Sequence, residues 1–222
     1  MTRQKTVIFA AAMLVTSLGG HQGARADVIY SNLGSPATYT AGGWTVGFGY
    51  SPASGFTSPG NYAVTAIDVG VRYFAGPNDG IVVSLWTDMA GATGSELGSW
   101  QINGPLPIGS SLDTSIFTDF ASVSGITGVV LESGESYFLK VAAINSSTVY
   151  AWNLNNLNIR GPLYDPPDFP GGTIANQAAF DVLGDPIAVP EPTSLTVFAA
   201  AFAALGVIRR RRRAVGVRVE FK

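Results

Sequence analysis

The sequence predicts an all-β chain: a single antiparallel β-sandwich, jelly-roll or immunoglobulin-like, flanked by an N-terminal signal peptide and a C-terminal transmembrane helix. Three observations carry this expectation. Glycine and proline number 27 and 13 of 222 residues, and with many Ser, Thr and Asn they interrupt the chain often enough to favour short strands joined by turns. Several segments alternate apolar with polar or small residues at period two, the pattern of a strand with one buried face. Between residues 27 and 188 no segment sustains helical spacing.

Residues 1–26 read as a secretory signal peptide. Arg3 and Lys5 supply the positive start, Val7 to Val15 the short apolar stretch, and Ala24-Arg25-Ala26 an A-x-A cleavage site before Asp27. The body, 27–188, starts with a short apolar segment, Val28 to Ser31, and then Trp44 to Tyr50, where aromatic or branched residues alternate with small ones. Ile67, Val69, Val71 and Tyr73 alternate with Asp68, Gly70 and Arg72. The turn residues Gly76-Pro77-Asn78-Asp79-Gly80 follow, and Ile81 to Thr87 runs back, so these two segments are expected to form a β-hairpin. Further strands are expected at Glu96 to Ile102, Ile116 to Val123, Tyr137 to Ala143, Thr148 to Leu154 and Ala178 to Leu183, about eight in all.

The tail has three parts. Val189-Pro190-Glu191-Pro192 is extended, because each proline fixes φ and disfavours helix in the residue before it. Residues 193–208 are uncharged and almost wholly apolar, which predicts a transmembrane helix of roughly 24 Å, able to cross a ~30 Å hydrocarbon core with local thinning. Arg209, Arg210, Arg211, Arg212 and Arg213 then act as a stop-transfer block on the cytoplasmic side, leaving 214–222 as a short overhang.

With Pro190, Glu191 and Pro192 at its head, this tail resembles a PEP-CTERM sorting signal. The resemblance implies a protein exported from a Gram-negative bacterium, held transiently in the inner membrane, processed by an exosortase and delivered to the cell surface or an extracellular matrix rich in exopolysaccharide or biofilm. The nine residues after Arg213 depart from the family pattern, which usually stops soon after its basic cluster. The body carries a second resemblance. Val83-Ser84-Leu85-Trp86-Thr87-Asp88, Gly94-Ser95-Glu96-Leu97-Gly98-Ser99, Val130 to Leu139 and Tyr150-Ala151-Trp152 are similar to the exported β-domains called choice-of-anchor R. That family implies a fold and no biochemical activity.

Charge and missing residue types narrow the chemistry. From Asp27 to Pro190 three basic residues, Arg72, Lys140 and Arg160, face thirteen acids, a formal charge near −10. A domain so acidic has no footprint for nucleic acid. There is no cysteine, and the single histidine, His21, leaves with the signal peptide. Ser-His-Asp and Cys-His catalysis and His or Cys metal sites are therefore excluded, and no cofactor is expected.

Carboxylates remain. Glu132 and Glu135 flank a Ser-Gly turn, Asp165 and Asp168 bracket two prolines, and Asp79 and Asp88 stand at the two ends of one strand. Hydrolysis of a glycosidic bond needs two such groups roughly 5–10 Å apart. Asn78, Asp79 and Asp88 are the best oxygen set for calcium, although no EF-hand loop is present. The Asn153 to Asn158 stretch, with Trp152 or Tyr164, offers stacking and hydrogen bonding to a polysaccharide, against the commoner fate of a strand tryptophan as core.

The sequence thus points to a non-enzymatic, exported, exosortase-processed surface or matrix protein; the alternative is a secreted carbohydrate-active enzyme using paired carboxylates. N-terminal sequencing of the exported protein should begin at Asp27. A mature species that still carries His21 would contradict the A-x-A cleavage site.

Overall fold

The computed structural model describes residues 26–109, 116–165 and 169–188. In chain order its first strands are β1 (Asp27–Ser31), β2 (Tyr39–Val46), β3 (Ala53–Thr57), β4 (Tyr62–Val69), β5 (Val71–Ala75), β6 (Gly80–Met89) and β7 (Ala92–Asn103). Then come β8 (Ile116–Phe117), β9 (Ala121–Ser124), β10 (Val130–Leu131), β11 (Ser136–Ala143) and β12 (Val149–Asn155). β13 (Arg160–Asp165), β14 (Phe169–Asn176) and β15 (Phe180–Pro186) complete the set. The described residues are all-β, with every named strand pair antiparallel.

Three sheets form two layers. One sheet runs β1-β15-β4-β10 with β9 also on β4, a second β5-β12-β2-β8, and a third β14-β13-β3-β11-β6-β7. The first two join by hydrogen bonds at Gly70: its N–H donates to Ala179 O at 2.9 Å, its carbonyl accepts from Asn153 N at 2.8 Å, and Ala179 N donates to Asn153 O at 2.7 Å. A Cβ at Gly70 would come within 2.9 Å of the Tyr39 ring and 3.1 Å of Ala179 Cβ, so only glycine fits beneath that tyrosine.

The core lies between this joined layer and the six-stranded sheet. Ile67, Val69, Val71, Trp152, Phe180 and Val182 from one side meet Phe56, Ile81, Val83, Leu85, Leu139 and Val141 from the other. Burying apolar faces in this way is the main favourable term, about 25 cal/mol per Å² of apolar area. The arrangement is sandwich-like.

The expected hairpin does not form. β5 pairs with β12, and β6 pairs with β7 and β11. Both segments bury one face, and they satisfy that burial by facing each other across the core rather than lying side by side. The Gly76 to Gly80 loop crosses between layers and is pinned there. Asn78 Nδ2 donates to Leu106 O and Asn78 Oδ1 accepts from Leu106 N, both at 2.9 Å, while Thr148 Oγ1 donates to Pro77 O at 2.6 Å.

A hairpin appears one strand later. β6 and β7 are joined by Ala90-Gly91, both at positive φ (56 and 89), and Met89 pairs with Ala92; these are the dihedral signs of a type I′ turn, whose twist suits a hairpin. The expected strand Ile116 to Val123 is broken into β8 and β9, and β3, β13 and β14 are strands that their sequences do not announce.

Where β14 gives way to β15 the chain passes from one layer to the other, and buried amides hold the crossing. Asn32 Nδ2 donates to Ala178 O at 2.6 Å while its Oδ1 accepts from Phe180 N at 2.9 Å. Asn155 Nδ2 donates to Gln177 O at 2.7 Å, and the Gln177 amide donates to Gly55 O. Strand β14 is an edge. Gln177 N donates to Ile159 O at 3.0 Å on the β13 side, so by alternation the carbonyls of Ile174 and Asn176 face the open edge. They accept from Arg160 Nη2 at 2.9 Å and from Trp44 Nε1 at 3.0 Å.

Trp152 is fully buried, donates Nε1–H to Ala179 O at 3.0 Å and packs on Phe180 with ring centroids 5.9 Å apart. Trp152→Ala should lower the unfolding free energy by about 3–5 kcal/mol, measured by urea denaturation. A loss below about 1 kcal/mol would mean that the core closes without it.

Candidate functional site

The structure sorts the acids by where their strands end. Glu132 and Glu135 flank the β10–β11 turn, closed by Gly134 at φ 81 and by Glu135 N donating to Glu132 O at 3.3 Å. With Asp88, from the far end of β6, they line a cleft of about 310 Å³ whose other walls include Thr87, Leu97 and Tyr137. Tyr137 Oη accepts from Glu132 N at 2.8 Å and fixes the turn against the strand. The cleft is of ligand size, and its three carboxylates were not joined in the sequence reading.

Asp79 is not among them. It precedes the first residue of ten-residue β6 whereas Asp88 is near its last, which at 3.3 Å per residue places them about 30 Å apart. The oxygen set Asn78, Asp79 and Asp88 is therefore broken up, and both amide atoms of Asn78 are spent on Leu106. Among the described residues no group of three or more His, Cys, Asp or Glu is placed to hold a metal ion. Asp165 ends β13, and Asp168 lies outside the described residues.

A second carboxylate pair was missed. Asp68 on β4 lies directly opposite Asp181 on β15, with Ser31 beyond one and Ser122 beyond the other. Directly opposed residues have Cβ atoms roughly 4.5–5.5 Å apart. Each acid sits between core residues, Ile67 and Val69 or Phe180 and Val182, so both point away from the core. The signal was an acid at the polar phase of two alternating strands; the register that joins them is not in either strand.

Burial raises the Asp181 pKa, with the Asp68 charge adding to the rise and the Ser31 hydroxyl pulling the other way. Asp181 Oδ1 is buried with no hydrogen-bond partner among the described residues.

The aromatic and amide candidates divide. Trp152 is core, the commoner fate given for a strand tryptophan, and is not available for stacking. Asn153 and Asn155 are buried too: Asn153 Nδ2 donates to Thr40 O at 3.0 Å, and Asn155 Oδ1 accepts from Ile159 N at 2.8 Å. The Asn-rich stretch is thus internal at Asn153 and Asn155, whereas Asn156 is half-buried and Asn158 exposed. Tyr164 is half-buried, opposite Ala53 on β3, on the same row as Lys140 of β11. Lys140 Nζ stands 5.4 Å from the centroid of the Trp86 ring, within cation–π range.

Of the sorting and cleavage residues, Ala26 is half-buried and Asp27 opens β1. Ala24, Pro190, Glu191, Pro192 and Arg209 to Arg213 lie outside the described residues, as does the span 193–208. Among the described residues no helix is long and apolar enough to cross a membrane. Compared with models of known protein families and with curated proteins, the chain matches none.

The Asp68–Asp181 pair makes stability depend on pH with a definite sign. A carboxyl whose folded pKa is raised stabilises the fold while protonated, below its ordinary value near 3.8, and loses that contribution as pH rises through the raised folded value. Asp181→Asn should therefore be more stable than the wild type at pH 7, with the difference shrinking towards pH 3. Melting temperatures of the two proteins across that range check it; a difference independent of pH would remove Asp181 as its source.

Proposed function

We propose that the chain is an exported, exosortase-processed protein of the cell surface or extracellular matrix of a Gram-negative bacterium. Its body, a jelly-roll or immunoglobulin-like sandwich, is non-enzymatic and associates with exopolysaccharide. One observation carries the reading: a signal peptide ending at Ala26 and a tail of Pro190-Glu191-Pro192, apolar span and five arginines enclose one acidic body. Both ends address the same compartment.

The fold is consistent with removal of both ends. Asp27, the first residue after the proposed cut, pairs with Gly184, shortly before the tail. The core draws on residues from Ile29 to Val182, so trimming either end leaves its packing in place. The cleft of Asp88, Glu132 and Glu135 and the Asp68–Asp181 pair favour a second reading, a carbohydrate-active enzyme working through paired acids. Degradation of a polysaccharide by the purified protein, lost in Glu132→Gln or Asp181→Asn, would select it.

The sorting reading and a plain membrane anchor differ at Glu191. Glu191→Ala leaves the apolar span and the arginine block unchanged, so insertion should survive. In a host with an exosortase the variant should remain in the inner membrane at full length, while wild type reaches the surface or medium without its arginines. Identical size and location for both would establish the plain anchor.

A further inference from the structure

The outer face of the six-stranded layer departs from the polar surface usual for an antiparallel sheet. Register fixes its occupants. Tyr164, Ala53, Lys140, Ser84 and Ser99 lie opposite one another in turn across β13, β3, β11, β6 and β7. One row along, Gly55, Phe138, Trp86 and Glu96 are aligned. The alternate residues, Leu139 and Val141 with Val83 and Leu85, belong to the core, so these two rows face away from it.

The face is built rather than incidental. Gly55 lacks a side chain where a Cβ would sit 2.8 Å from Pro162 Cβ and 3.2 Å from Phe138 Cε1, and Phe138, closed in by them, is only 1% exposed. Ala53 is buried, leaving a low floor between Tyr164 and Lys140, two strands and about 10 Å apart. Trp86 is one strand beyond Lys140, and its indole is oriented by Nε1 donating to Ser84 Oγ at 2.8 Å.

Lys140 is unusual in its setting. Of the three cations between residues 27 and 190, Arg72 pairs with Asp119 at 2.7 Å and Arg160 caps Ile174. Among the described residues Lys140 has no carboxylate partner; its ammonium lies against Trp86. On a body with thirteen acids, that leaves one half-buried amine, set between two aromatics, to meet an external anion.

We propose that this face, centred on Lys140 with Trp86 and Tyr164, binds a carboxylate-bearing saccharide of the uronate class. The apolar faces of the sugar rings stack on the aromatics, and the carboxylate pairs with Nζ. The acidity of the rest of the body does not forbid it: at physiological ionic strength charges are screened over about 8 Å, and the nearest carboxylate in the register, Glu96, lies across Trp86 on the side away from Lys140. The assignment deepens the matrix reading above and rests on it.

The test uses the full-length chain in detergent, titrated with trigalacturonate, maltotriose and a triglutamate peptide by calorimetry. Trigalacturonate should bind best. Lys140→Met should weaken it by about tenfold or more, Lys140→Arg should restore most of the affinity, and Tyr164→Ala should weaken it with an unchanged melting temperature. Maltotriose bound as tightly, and indifferent to Lys140→Met, would overturn the uronate assignment while leaving the matrix reading intact. Triglutamate bound as tightly as the sugar would overturn a saccharide occupant. No binding of any probe would remove the face as a site, whereas the location of the Glu191 variant decides the sorting reading separately.

Discussion

The segment from Gln177 to Phe180 is the constraint on which the two layers depend. It passes from β14 in the six-stranded sheet to β15 in the other layer, and Gln177, Ala178, Ala179 and Phe180 are all buried. A buried peptide group left without a partner costs about 1–3 kcal/mol, so a crossing through the interior is tolerable only if its amides and carbonyls are matched. The side chains of Asn32, Asn155 and Trp152 supply much of that matching, and the backbone carbonyl of Asn153 accepts from Ala179 N. This explains why the interior holds asparagines that composition alone would assign to the surface.

Period-two alternation was legible in the sequence over 67–73, where Ile67, Val69 and Val71 are buried. It could not say what they are buried against, because a strand with one apolar face is satisfied equally by a neighbour in its own sheet and by a facing sheet. Gly70 decides the matter: it ends one pairing and begins another within a single alternating run. Strands β3, β13 and β14 were unreadable for a different reason. Their Gly and Pro residues, among them Gly55, Pro162 and Gly172, look like loop punctuation when seen one segment at a time.

The candidate sites follow the same division. Residue type picked out Glu132, Glu135 and Tyr164, but the partners that give them meaning, Asp88, Trp86 and Lys140, come from strands distant in sequence and are set by register. Trp152 took the commoner fate of a strand tryptophan, and the asparagines next to it, Asn153 and Asn155, are buried with it in a seam rather than exposed as a sugar platform. The acids and the cations also part company in space. Arg72 and Arg160 are committed to internal contacts, so most of the surface is anionic and a single sheet face carries the exception.

The capping of β14 has a consequence for how copies of this body behave at high local density. An uncovered strand edge is a template on which another chain can extend the sheet. Here two carbonyls on that edge are already engaged, by the Trp44 indole and the Arg160 guanidinium, so a second copy approaching β14 finds its docking groups occupied. Growth of the sheet through β14 is thereby disfavoured without a single disulfide, and β7 forms the opposite edge of the same sheet.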